Sequence, residues 1–185
     1  DLGALFGITL PSGQGALQLK WQGPWTHPSV QGHLFAQHLE ISGWRLGRLL
    51  VEAELDPDGL VRFSRLVLEN QGSLLEGQGR LMLRGRDDAW LSDPSVELAL
   101  SIAHLEPHDF GELGPWQGRF DGRFTLDGTL KQPLAQLEIT DGSVAWQRLS
   151  GQLQGAARWQ GGGLDISNLE LTFGQSHIQM KGAMR

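Results

Sequence analysis

Apolar residues alternate with polar ones along most of the chain, and glycine-rich punctuation separates the alternating runs. No Gly-free window of ten or more residues has helical spacing. Together these predict an all-β protein: an elongated, antiparallel-rich sheet of about a dozen strands joined mainly by short hairpin turns.

The runs come in order. Leu17, Leu19 and Trp21 alternate with Gln18 and Lys20, and Leu49, Val51, Ala53 and Leu55 alternate with Glu52 and Glu54. Phe63, Leu66 and Leu68 follow, then Leu81 and Leu83. The longest clean run is Val96, Leu98, Leu100 and Ile102. Phe120 and Phe124 carry Gly122 in their register, and Leu137 and Ile139 lead to Val144 and Trp146. Ile166, Leu169 and Leu171, and finally Ile178 and Met180, complete the set. Turns are expected at Pro57-Asp58-Gly59, Asn70-Gln71-Gly72, Asp141-Gly142 and Gly161-Gly162-Gly163. The best helical window, Val30 to Ser42, is weakened by Gly32 near its start. Strands that alternate cleanly each present one apolar face, and that face needs a cover. Without helices the cover is a second sheet, closure into a barrel, or a bound ligand.

Composition removes several function classes. The formal net charge of −6 opposes nucleic-acid binding, which needs clustered Lys and Arg. Lys20, Arg45, Arg48, Arg62, Arg65 and Arg80 are scattered singly and read as the solvated face of a sheet. With no Cys there is neither a disulfide framework nor a thiolate metal site. The 185 residues suit one domain or one elongated unit of a longer protein, and both ends read as cuts through a repeating pattern. Residues 1–185 carry no apolar run long enough to span a bilayer, so a membrane anchor is expected outside them.

Candidate sites are few. His104, Glu106, His108 and Asp109 offer metal donors, but alternation around Leu105 and the break at Pro107 splay them, and a solvated loop is expected. Ser176 in Gly174-Gln175-Ser176-His177 lacks the second glycine of a nucleophile elbow. Asp87 and Asp88 sit beside Arg86 in a turn, and Gly77-Gln78-Gly79 lacks the Lys-Ser/Thr and helix of a phosphate loop. Trp146 and Trp159 fall in alternating strands and suit a core or groove, whereas Trp25, Trp90 and Trp116 fall at strand ends or turns. No catalytic, cofactor-binding or metal-binding residue is expected, and no enzyme.

The sequence also repeats. Gly23 to Pro28 matches Gly128 to Pro133 as Gly-x4-Pro, and Phe63-Ser64-Arg65-Leu66-Val67-Leu68 matches Ile166-Ser167-Asn168-Leu169-Glu170-Leu171. Repeats are expected over approximately 17–82 and 118–185, with a looser unit at 83–117.

These residues resemble a family. Gly128, Pro133, Ala135, Gly142, Trp146, Leu149, Leu164, Ile166, Leu169, Leu171, Ser176, Ile178 and Gly182 reproduce a diffuse pattern of Gly, Pro and apolar spacing. It is similar to the conserved carboxy-terminal region of the TamB family, within the AsmA-like and bridge-like lipid-transfer superfamily. The resemblance covers the second half well and the first half loosely. It implies a folded-over β-sheet, a taco-shaped half-pipe with an apolar concave interior. It also implies a periplasmic location in a diderm bacterium and an inner-membrane anchor outside this segment. The implied partner is a TamA-like outer-membrane barrel protein of the translocation and assembly module. The implied work is autotransporter and outer-membrane protein assembly and phospholipid transport between the two membranes. Cargo would be phospholipid acyl chains or unfolded outer-membrane protein strands, held by the apolar residues named above. The alternative is a closed β-sandwich module that binds carbohydrate or protein.

Overall fold

The computed structural model describes residues 12–41, 43–85, 89–111, 116–146 and 149–184. Eleven strands form one sheet: β1 (Ser12–Gln22), β2 (Ser29–Ile41), β3 (Trp44–Leu55), β4 (Leu60–Asn70), β5 (Ser73–Arg84), β6 (Trp90–Leu105), β7 (Trp116–Thr129), β8 (Pro133–Trp146), β9 (Leu149–Gln160), β10 (Gly163–Phe173) and β11 (Ser176–Met184). The only helix among the described residues is one turn, α1 (Pro107–Phe110), between β6 and β7. Every strand pairs antiparallel with its neighbours in sequence, so the sheet is a meander with β1 and β11 at its edges. It is all-β and does not close into a barrel.

Val30 through Ile41 is strand, in keeping with the helix-free reading of the sequence: Leu34 and Ala36 alternate with His33 and Phe35 against Val51 and Leu49. One local expectation is corrected: Asp141-Gly142 is not a turn. Asp141 pairs with Asp121 and Gly142 with Phe120, inside β8. The signal that mimicked a turn is a β-bulge at Thr140, whose hydroxyl donates to the Asp121 carbonyl at 3.2 Å.

That bulge belongs to a series. Each even-numbered strand spends three residue steps where a partner spends two: Ala36 to Leu39 in β2, Phe63 to Leu66 in β4, Ile102 to Leu105 in β6, Ile139 to Gly142 in β8 and Ile166 to Leu169 in β10. Ser64 donates to the Glu52 carbonyl at 3.3 Å and Ser167 to the Ala156 carbonyl at 3.1 Å, as Thr140 does in β8. The segments that match in sequence fall on strands six places apart, β2 with β8 and β4 with β10.

Glycines give the sheet its inner side. Gly32, Gly77, Gly79, Gly122, Gly142, Gly151 and Gly155 all take the apolar register. A Cβ on Gly79 would lie 2.6 Å from the Glu97 carbonyl oxygen, and one on Gly142 would lie 2.8 Å from that of Leu153. A curled sheet has less room on its inner surface, and residues without side chains let strands bend that way. The apolar face is the concave one.

Candidate functional site

Cross-strand pairing assembles the alternating residues into continuous rows. One row runs Ala36, Leu49, Leu68, Leu75, Ile102, Gly122, Ile139, Gly155, Leu169 and Met180, from β2 to β11. The next runs Leu17, Leu34, Val51, Leu66, Gly77, Leu100, Phe124, Leu137, Ala157, Ile166 and Gly182. At about 4.8 Å per strand spacing, ten intervals give a trough of about 48 Å measured along the sheet.

The structure places the predicted lining residues on this one face. Leu55, Phe63, Leu81, Val96 and Leu98 occupy its rows on one side, with Leu83 following Leu81 by alternation. Phe120, Val144, Leu171 and Ile178 occupy them on the other. The side chains of Trp116, Trp146 and Leu149 lie outside what is described. The bulges explain how odd-numbered Phe63 and even-numbered Leu66 share a face: each bulge inverts the alternation once. Sequence reading missed Val61, Leu75, Leu153 and Leu164 on the same face, although each sits two residues from a strand neighbour or opposite a predicted one. A register drawn through the bulges finds them.

The face is half-buried along its length. Among the described residues the only buried hydrophobic side chains are Ala36, Ile102 and Phe110. At the edges, Leu17 is 61% and Leu19 64% exposed in β1, and Ile178 is 47% exposed in β11. No second sheet lies over the described strands. Soluble monomers rarely leave so continuous an apolar surface open.

The other face is polar. Glu54, Arg62, Arg80, Glu97 and Asp127 oppose one another across β3 to β7. Arg80 holds Glu97 with a bidentate pair at 2.8 and 2.7 Å, which pushes the guanidinium pKa further up. Arg48 pairs with Glu69 at 3.5 Å, Arg62 with Asp56 at 3.0 Å and Arg65 with Glu76 at 3.9 Å. These pairs are solvent-screened and mark the wet side rather than stabilise it strongly. A furrow of about 610 Å³ lies among Arg62, Gln78, Arg80, Glu97 and Asp127, with Phe63 and Leu98 also in its lining. Asp93 is held below the usual carboxylate range by the Thr129 hydroxyl, aided by the Lys131 backbone N–H at 2.9 Å.

Strand ends form two lips. On one, the β6–β7 connection straps back over the apolar face. Asn70 Nδ2 donates to the Asp109 carbonyl at 2.6 Å, Ser73 Oγ donates to the Asp109 carboxylate at 2.6 Å, and the Glu106 N–H donates to Ser73 Oγ at 2.8 Å. Arg45 donates to the His108 carbonyl at 3.4 Å. Ser73 is fully buried, and Asp109 and Phe110 are nearly so. The expected solvated loop at His104 to Asp109 is therefore corrected: this is a docked turn. Its acidic and imidazole groups diverge, His104 to Asp121 at 3.1 Å and Asp109 to Ser73, and no metal-binding group of three forms among the described residues. Asp109→Ala would leave the Ser73 hydroxyl only the His104 carbonyl, at 3.3 Å, to donate to, and should cost about 1 kcal/mol. Urea unfolding should show a lower midpoint with an unchanged slope, and the Ser73→Ala/Asp109→Ala pair should cost less than the sum of the singles.

On the opposite lip, Arg84 is buried and ties three connections together. Its guanidinium lies 4.7 Å from the Trp90 ring centroid, donates to the Thr26 carbonyl and crosses Gly59. Gly59, at φ +80, leaves the space that Arg84 fills. The other sequence candidates scatter. Gly77-Gln78-Gly79 lies within β5, and Ser176 opens β11 in the open. Arg86, Asp87 and Asp88 lie outside the described residues. No helix among the described residues is long and apolar enough to cross a membrane.

The fold and face define a class: an open, single-layer β-sheet with one continuous apolar surface. Neither protein-family models, nor curated proteins, nor solved structures give a match to the chain.

Proposed function

We propose that the chain is a non-enzymatic carrier segment whose concave apolar face shields an apolar chain from water. The observation that carries this is the unbroken apolar row from β2 to β11, with no second sheet over it among the described residues. Each methylene laid along such a surface gains about 0.8 kcal/mol, so even a partly covered acyl chain is held by several kcal/mol. The resemblance to the TamB family supports placing this work in the periplasm of a diderm bacterium, in a protein anchored in the inner membrane by a segment elsewhere. There it would act with a TamA-like barrel in outer-membrane protein assembly and phospholipid transport. Phospholipid acyl chains and unfolded outer-membrane strands share the chemistry the trough takes.

Small-angle scattering with and without mild detergent tests the reading. An elongated particle that takes up detergent is expected. A compact particle with a radius of gyration near 16 Å and no detergent uptake would instead support a closed sandwich.

A further inference from the structure

We propose that the lip held by Arg84 is a membrane-contact edge that seats at the interface of a zwitterionic phospholipid bilayer. Exposed aromatic residues are gathered on it. Trp25 is 83%, Trp90 62% and Trp21 and Trp159 each 43% exposed, all at the strand ends joined by the β1–β2, β5–β6 and β9–β10 connections. Leu130 adds to the same lip at the β7–β8 connection, 56% exposed. The opposite lip carries exposed Ile41 and Trp44, with Trp44 against Gly111 of the strap, and Trp116 and Trp146 pair there with side chains outside what is described.

Three features select a bilayer surface over other partners. First, the side chains are strung along one edge from β1 to β9, about 38 Å at sheet spacing, which fits a plane better than a pocket. Second, a sugar platform needs free ring faces. Here the Trp21 and Trp25 centroids pack 4.4 Å apart at a 43° tilt, and Arg84 covers a face of Trp90. Trp25 and Trp90 keep most of their surface outward, and tilted, part-covered amphipathic rings suit headgroup depth better than a flat sugar platform. Third, exposed charges of both signs, Asp58 and Lys131, sit at this lip, so no single-sign field demands anionic lipid. The lip is also preorganised, because Arg84 joins Trp90 to the hairpin that carries Trp25. Trp21 and Trp159 share the register of the apolar face, so the lip runs into the trough without a polar step.

The inference concerns the lip and needs no occupant in the trough. Flotation of the 185-residue chain with phosphatidylcholine vesicles, combined with tryptophan quenching by lipids brominated near the interface, tests it. The chain should float and be quenched. Trp25→Ala, at a site too exposed to disturb the fold, should lower the bound fraction about threefold, and Trp25→Ala with Trp90→Ala about tenfold. Trp44→Ala on the opposite lip and Ile139→Arg in the trough should leave binding within about twofold, which separates this edge from the carrier function. Absence of flotation, equal loss from Trp44→Ala, loss from Ile139→Arg, or binding confined to phosphatidylglycerol vesicles would each overturn the proposal.

Discussion

Ile139→Arg is expected to leave the chain folded while abolishing its capacity to shield an apolar chain. Ile139 lies mid-row, with Gly122 on one side and Gly155 on the other, and is only half-buried. In a closed core, an arginine there would bury an unpaired charge and unfold the domain, at a cost of several kcal/mol. In the open trough the guanidinium can extend past the neighbouring glycines to water, leaving mainly the loss of partial isoleucine burial, about 1 kcal/mol. That corresponds to a fall in Tm of about 2–4 °C for a chain of this size. The charge would nonetheless interrupt the apolar path through the middle of the sheet. Thermal unfolding and uptake of a fluorescent acyl probe, measured on the same preparation, check both halves. A variant that unfolds points to a closed core, and one that folds and binds normally removes Ile139 from the working surface.

The largest loss of stability is expected from Gly77→Val. Gly77 lies between Leu66 and Leu100 on the concave face, where a Cβ would collide with the Ala99 carbonyl and sit 2.8 Å from Leu100 Cδ2. Backbone of a central strand cannot step aside without breaking the β5–β6 ladder, so the cost should reach about 3 kcal/mol or more. Gly182→Val is the matched control. It takes the same row on edge strand β11, and a Cβ there meets nothing within 4 Å. Its cost should be a few tenths of a kcal/mol, since added β propensity offsets little else. Urea unfolding of the two variants side by side checks the contrast, and equal losses would contradict a sheet curled toward its apolar face.

Much of this fold was legible from alternation alone. Val96 to Ile102 and Leu49 to Leu55 are strands whose apolar residues share a face, and Pro57-Asp58-Gly59, Asn70-Gln71-Gly72 and Gly161-Gly162 are turns. What escaped has a common physical cause. A bulge inserts one residue without any composition signal of its own, so Asp141-Gly142 read as a turn when Thr140 had only inverted the alternation. The concave sense of the face was carried by glycines, and only Gly122 was noticed in an apolar register. The strap at Pro107 to Phe110 was hidden differently. Its stability comes from Asn70 and Ser73, more than thirty residues away, and long-range polar seating leaves no local pattern. The aromatic lip was invisible for the same reason, because Trp21, Trp90 and Trp159 fall on one edge only once the meander is laid out.

Neighbouring residues on opposite faces provide the most direct test of the carrier reading. Leu100 sits in a row of the apolar face, and Ser101 beside it is exposed on the polar face between Glu76 and Arg123. A photo-crosslinking side chain introduced at either position, in protein produced in the periplasm of a diderm bacterium, samples each face while leaving the rest of the sheet unchanged. Capture of phospholipid or of an unfolded outer-membrane strand from position 100, with none from position 101, is the result expected of a concave carrier face. Equal capture from both positions, or capture from position 101 alone, would contradict it.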